Sequence, residues 1–223
     1  MKLRDAKDAV DHLVLGVSDL QKGIDWFEKL TGVRPVVGGK HPNRGTQNAL
    51  VSFNASSAGG NRQYLELLAP DPDQKNHPRA VDLLKLAEPR MLLWASATSE
   101  IDALAQQAKT SKLLMMGPMD GSRARPDGKL LKWRSLSVAR EADKEVIYFN
   151  IVPFFINWDK DSPHPSLDSP TGCKLTALEF EHPEVAAMTE MMKSIGLKAK
   201  ITKGNSPVIK ATLKTPKGSI VLK

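Results

Sequence analysis

Two residues of this chain have types and positions that could do chemistry together: His12 in "DHLVLGV" and Glu66 in "RQYLELL". A neutral imidazole and a carboxylate delivered by neighbouring strands are ligands for a divalent metal such as Zn, Fe, Mn or Ni. The same pair can also work as a base with its partner. Glu66 sits between Leu65 and Leu67, so strand alternation sends it to the face those leucines avoid. The expectation is that His12 and Glu66 are catalytic and share one cavity, and that they form the metal site if there is one. The bland alternative is a satisfied core histidine and a solvent-facing glutamate.

Other residues can complete such a site. His41 and Asn48, in "GGKHPNRGTQNALV", flank or enter the second strand, His41 as a further catalytic group and Asn48 as a substrate contact. Trp94, Trp133 and either Phe154 or Phe155 could form an aromatic wall, although tryptophans are as often core. Arg134 or Arg44 could anchor a carboxylate. His164, in "SPHPS", follows an apolar strand and could swing back over the cavity, or simply shape its loop. A pocket of this make-up suits a small, partly apolar, anionic molecule. His77 reads as an exposed linker residue and His182 as a helix-start residue.

These side chains must be positioned by a repeated unit. "DHLVLGVSDLQKGIDWFEKLTGV" reads as a strand running into a helix, with Leu20, Ile24, Phe27 and Leu30 on one face and Gly32 at the stop. "RMLLWASATSEIDALAQQA" repeats the plan 81 residues later (Leu20 to Ile101), with Ile101, Ala105 and Ala108 facing inward. "KLTALEFEHPEVAAMTEMMKSIGL" is a third copy, with Met188 and Met191 inward and Gly196 at the stop. Segments of strand character follow each helix: "RPVVG", "QNALVSF" and "RQYLELL", then "LLMMGP", "LLKWRSLSV" and "EVIYFNIV", then "KAKIT", "VIKATLK" and "SIVLK". Each unit therefore reads β-α-β-β-β. The expected organisation is a first module over residues 1–82, a second over 83–170 and a compact basic third over 171–223, with Pro- and Asp-rich connectors at 69–82 and 157–172. "DGSRARPDGK" (120–129) reads as a hairpin turn.

Taken together, "DHLVLGVSDL", "GGKHPNRGTQNALV", "YLELLAPDP", "RPDGKLLKWR" and "VPFFINWDKDSPHPS" resemble the glyoxalase-like domain family of the vicinal oxygen chelate superfamily, over about residues 10 to 195. The resemblance implies an α+β fold in which paired βαβββ modules form a half-open barrel around a small-molecule cavity, here with a smaller C-terminal βαβ-type module. Superfamily members include glyoxalases, extradiol dioxygenases, isomerases, epimerases and antibiotic-resistance proteins, and some bind a ligand without catalysis. In the metal enzymes of the superfamily, ligands come from the first and fourth strands of both modules. His12 and Glu66 match the first module. The second departs from the pattern: Leu93 falls opposite His12, and "VIYFNIV" offers Tyr148 or Asn150 in place of a carboxylate or imidazole. The third module has about Thr176 and an apolar last strand at these places. The cofactor is accordingly either one divalent metal or none, and the chain either a lyase, isomerase or dioxygenase of this kind or a metal-free binding or sequestering protein.

The bulk properties narrow the rest. The net charge is +7, and residues 193–223 carry eight lysines with no Asp or Glu. That stretch has no arginine and no aromatic residue for base stacking, so it reads as a solvated face and nucleic acid is disfavoured as a partner. A contact with an acidic partner is a weaker reading. "VIYFNIVPFFINW" is too short and too interrupted to span a bilayer. The N-terminus lacks an apolar signal region, and Cys173, the one cysteine, permits no internal disulfide. A cytoplasmic protein with a small-molecule ligand, and room for a homodimer, is the expectation. There is no P-loop, G-x-S-x-G elbow or paired C-x-x-C. The glycines of "VVGGKHPNRGTQNALVSF" look like a phosphate cradle, but a cradle opens a helix and these lead into a strand.

Overall fold

Residues 3–53, 62–125, 127–143 and 150–223 are described by the computed structural model. Arg4–Asp5 (β1) and one helical turn, Ala6–Ala9 (α1), lead into the strand that carries His12, Val10–Gly16 (β2). The helix Leu20–Thr31 (α2) starts where the Asp19 carboxylate accepts from the Lys22 amide, and ends at Gly32, whose φ of 82° only glycine adopts freely. It buries Leu20, Ile24 and Phe27, as its 3.6-residue spacing requires. Val36–His41 (β3), Thr46–Ser52 (β4) and Tyr64–Pro70 (β5) complete the first module.

The connector after β5 holds a short helix, Pro78–Leu84 (α3), where the sequence reads only as linker. Proline at its first position fits, because that amide has no helical partner to lose. The second module then runs Arg90–Ala97 (β6), Ile101–Thr110 (α4), Leu114–Ala124 (β7), Leu130–Ala139 (β8) and Phe154–Trp158 (β9). The described fourth strand of the module is "FFINW"; of the expected "EVIYFNIV", residues 145–149 lie outside the described residues and 150–152 are not strand. The 120–129 segment is the expected hairpin, with β7 running to Ala124 and pairing with Leu130.

These strands form one eight-stranded sheet in the order β3-β4-β5-β2-β6-β9-β8-β7. The order is palindromic in module terms, with the two first strands, β2 and β6, antiparallel at the centre. Each first strand lies parallel to the fourth of its own module, β2 with β5 and β6 with β9. The sheet curls until its two edges meet, where Arg123 of β7 donates to the Gly38 carbonyl of β3. This is the paired-module half-barrel.

The third segment builds a separate sheet from Lys174–His182 (β10), Val185–Ser194 (α5), Lys200–Lys203 (β12), Val208–Thr215 (β13) and Gly218–Leu222 (β14), in the order β12-β10-β13-β14. The two-residue strand Leu197–Lys198 (β11) pairs with β1. Here the first strand lies between the second and third, so the unit repeats the order of elements but not their pairing. It packs on the convex face of the barrel. Trp94, on the outward face of β6, is completely buried with its ring 5.7 Å from Phe180 of β10, and its indole N–H donates to the Ile151 carbonyl at 2.7 Å. The core is therefore continuous between barrel and C-terminal sheet. Among the described residues no helix is long and apolar enough to cross a membrane.

Candidate functional site

The concave face of the half-barrel encloses a cavity of about 480 Å³. Alternation selects what faces it: His12 and Val14 of β2, Thr46 and Asn48 of β4, and Tyr64, Glu66 and Leu68 of β5. The register sets His12 beside Tyr64, and Glu66 beside both Val14 and Leu50. His12, Glu66 and His41 thus come together. The Nε2 atom of His12 lies 3.8 Å from one Glu66 oxygen, and that of His41 lies 3.6 Å from the other.

Asn48 fixes the carboxylate, its amide nitrogen donating to Glu66 at 2.5 Å and standing 3.3 Å from His41 Nε2. The Asn48 carbonyl oxygen is buried without a hydrogen-bond partner and rests against Gly38. A Cβ on Gly38 would come within 2.5 Å of that oxygen, so glycine is needed there for close approach. Thr46 Oγ1 holds His41 from its other nitrogen at 2.9 Å.

The electrostatics of this polar corner follow from burial. Desolvation alone would raise the pKa of Glu66, but His41, His12, the Asn48 hydrogen bond and Arg123 together draw it below the ordinary value. Burial holds the His41 imidazole down at about 4, with Arg123, Arg44 and Arg79 adding to the depression. Tyr64 is pushed well above its usual range by burial and by the carboxylates of Asp11 and Glu66. At neutral pH the corner offers an ionised carboxylate, an uncharged His41, a phenol O–H and the Arg123 cation.

The remaining candidates divide. Trp133 lines the cavity beside Phe154 and Trp158, its ring 5.4 Å from that of Trp158. Asn150 also borders it, while Tyr148 lies outside the described residues. Trp94 is corrected to a core residue, because Leu93 takes the inward place and turns the indole outward. Phe155, too, faces the core rather than the cavity. Arg134 is corrected as well: alternation puts it on the outer face of β8, where it forms a bidentate pair with Asp102 at 2.7 and 2.8 Å. His164 is buried next to the site but behind it, with its Nε2 3.1 Å from Asp11.

Three contributors were missed. Arg123, only 4% exposed, enters from β7 and was hidden in a stretch that reads as a turn. Its place on the same β7 face as Met119 was the available signal. Arg79 of α3 sits at the mouth with Arg44, brought there because His77 packs on Gly45. Asp11, next to His12, falls on the opposite face under strict strand alternation.

The donor set does not fit the superfamily's metal centre. The places that would supply the second half hold Leu93, Phe154 and Ile156, and among the described residues no group of three or more His, Cys, Asp or Glu is disposed to hold a metal ion.

The fold has solved counterparts. A hypothetical protein from Staphylococcus aureus superposes with a TM-score of 0.68 at 13% identity, over 96% of this chain and 98% of that one. A variant of the Streptomyces coelicolor methylmalonyl-CoA epimerase in complex with 2-nitronate-propionyl-CoA gives 0.50 at 18% identity, over 70% and 97%. A methylmalonyl-CoA epimerase in complex with methylmalonyl-CoA and NH4+ gives 0.50 at 18%, over 71% and 99%. No curated protein matches the chain significantly. The family model described as a glyoxalase-like domain matches residues 10–196, and the chain belongs to that family.

Proposed function

We propose that the protein takes a small, partly apolar organic anion into the cavity and moves a proton on it, without a metal. The observation that carries this reading is the buried Glu66 carboxylate facing two imidazoles, with the Arg123 cation bordering the same cavity. Such a corner suits a carbon acid, a compound with an acidic C–H beside a carbonyl. The His12–Glu66 pair handles the proton, and Arg123 and the Tyr64 O–H stand ready for negative charge that develops on oxygen. Met115, Met116, Met119, Trp133 and Phe154 form the apolar wall, and Arg44 with Arg79 meets an anionic group at the mouth. Solved structures of similar fold include epimerases bound to acyl-CoA esters, which is in keeping with acid–base chemistry.

The test is a panel of aryl and branched-chain 2-oxo acids, followed in D2O by proton NMR. Loss of the C–H signal next to the carbonyl above the background rate, abolished in Glu66→Gln, is the expected result. Binding without exchange across the panel would favour a second reading, a protein that sequesters the same class of molecule. The apolar Leu93, Phe154 and Ile156, which put no acid or base on the cavity face of β6 and β9, favour that reading. Absence of both binding and exchange would overturn both.

A further inference from the structure

We propose that Asp11 and His12 form a carboxylate–imidazole couple in which His12 Nε2 is the atom that takes the proton, held in that role by His164 and Trp158 behind it. This rests on the acid–base reading of the cavity and assigns its atoms.

Consecutive strand residues normally point to opposite faces. Here the pairing of β2 with β6 steps from Val10↔Ser96 to His12↔Ala95, so Asp11 is the extra residue of a β-bulge. The bulge lets two adjacent side chains meet: Asp11 Oδ1 lies 2.7 Å from His12 Nδ1. The other oxygen, Oδ2, accepts from the Trp158 indole N–H at 2.9 Å and stands 3.1 Å from His164 Nε2. Asp11 is 1% exposed and its carboxyl is held at about 2: burial opposes ionisation, but the two histidine contacts outweigh it.

The tautomers follow from counting donors. The Ser166 backbone N–H donates to His164 Nδ1 at 3.2 Å, so that nitrogen carries a lone pair. The proton of the uncharged His164 ring is then on Nε2, aimed at Asp11. Trp158 can only donate and an ionised carboxylate can only accept, so all three neighbours give protons to Asp11. His12 therefore holds its proton on Nδ1 and turns the lone pair of Nε2 toward Glu66 and the cavity. Tyr64 stacks on the His12 ring at 4.7 Å and Phe154 abuts it edge-on at 5.5 Å, which fixes the ring plane.

In the step this permits, the C–H bond of the substrate breaks and its proton goes to His12 Nε2. The electron pair moves into the neighbouring carbonyl, giving an enolate oxygen for Arg123, and Asp11 offsets the imidazolium charge. Return of the proton to carbon closes the cycle with no net redox change. Asp11 and His164 lie outside the cavity lining and are positioning residues; Trp158 borders the cavity with its ring and positions Asp11 through its indole N–H.

The test is nitrogen-15 NMR of the histidine-labelled full chain at a pH where the rings are uncharged, with no ligand present. The expected spectrum shows His12 protonated on Nδ1 and His164 on Nε2. In Asp11→Asn, Trp158 and His164 still require an oxygen on their side, so the amide NH2 faces His12 and moves its proton to Nε2. Proton exchange on a 2-oxo acid that the wild type turns over should then fall about 10³-fold or more. A His12 proton on Nε2 in the wild type overturns the proposal. So does a folded Asp11→Asn variant that keeps the wild-type tautomer or exchange rate. If Asp11→Asn does not fold, Trp158→Phe removes one donor and keeps the carboxylate, and must leave His12 protonated on Nδ1. The tautomers are read without a ligand, so a failed exchange assay counts against the proposed function and leaves the couple standing.

Discussion

Asn48 gathers the polar corner through a single amide, and two predictions belong at this scale. Replacing it by leucine keeps the volume but leaves the buried Glu66 carboxylate without its 2.5 Å donor. Asn48→Leu should cost about 1–3 kcal/mol at pH 7, measured by urea unfolding, with the loss shrinking in an Asn48→Leu/Glu66→Leu double variant. The second concerns pH. His41 titrates at about 4 folded and 6.5 unfolded, so between these values the unfolded chain binds the extra proton. Stability must fall as pH drops from 6.5 to 4 and level off below, with a ceiling near 3 kcal/mol. Asp11, depressed to about 2 from 3.8, adds a further loss below pH 4 in the same direction. His41→Gln should flatten the upper limb alone in a pH series of melting temperatures.

At the scale of elements, glycine and the bulge decide more than propensity does. Gly38→Ala pushes a methyl group against Asn48 Oδ1 and should abolish ligand-induced thermal stabilisation while costing about 1–3 kcal/mol. Retained stabilisation would show that Asn48 is not the strut. Helices α2, α4 and α5 were legible because each buries one apolar stripe at helical spacing. The facing of His12, Asn48 and Glu66 was legible because alternation holds through β2, β4 and β5. What stayed hidden breaks those rules. Asp11 is out of phase because of the bulge, and Arg123 belongs to a strand that runs into an apparent turn. Trp94 and Arg134 were misplaced by one residue of phase, which in a strand exchanges inside for outside.

For the molecule as a whole, the C-terminal sheet acts as a structural backing to the barrel. Its lysines are largely engaged: Lys200 with Glu179, Lys210 with Glu181, Lys193 with Glu190, and Lys217 with the Lys29 carbonyl. The Met91 amide N–H of β6 donates to the Lys223 carbonyl at 2.7 Å, and Trp94 packs on Phe180. Trp94→Ala should therefore cost about 3–5 kcal/mol and destabilise barrel and backing together. Calorimetry should show one transition whose calorimetric and van't Hoff enthalpies agree. Two resolved transitions would mean that the shared core does not couple them.

The seam between β3 and β7 has an electrostatic consequence. Arg123 fastens the two ends of the curled sheet through the Gly38 carbonyl and is also the cation that the cavity presents. Separating β3 from β7 would have to break that bond, so the side chain that closes the half-barrel is the same one that gives its interior a positive charge.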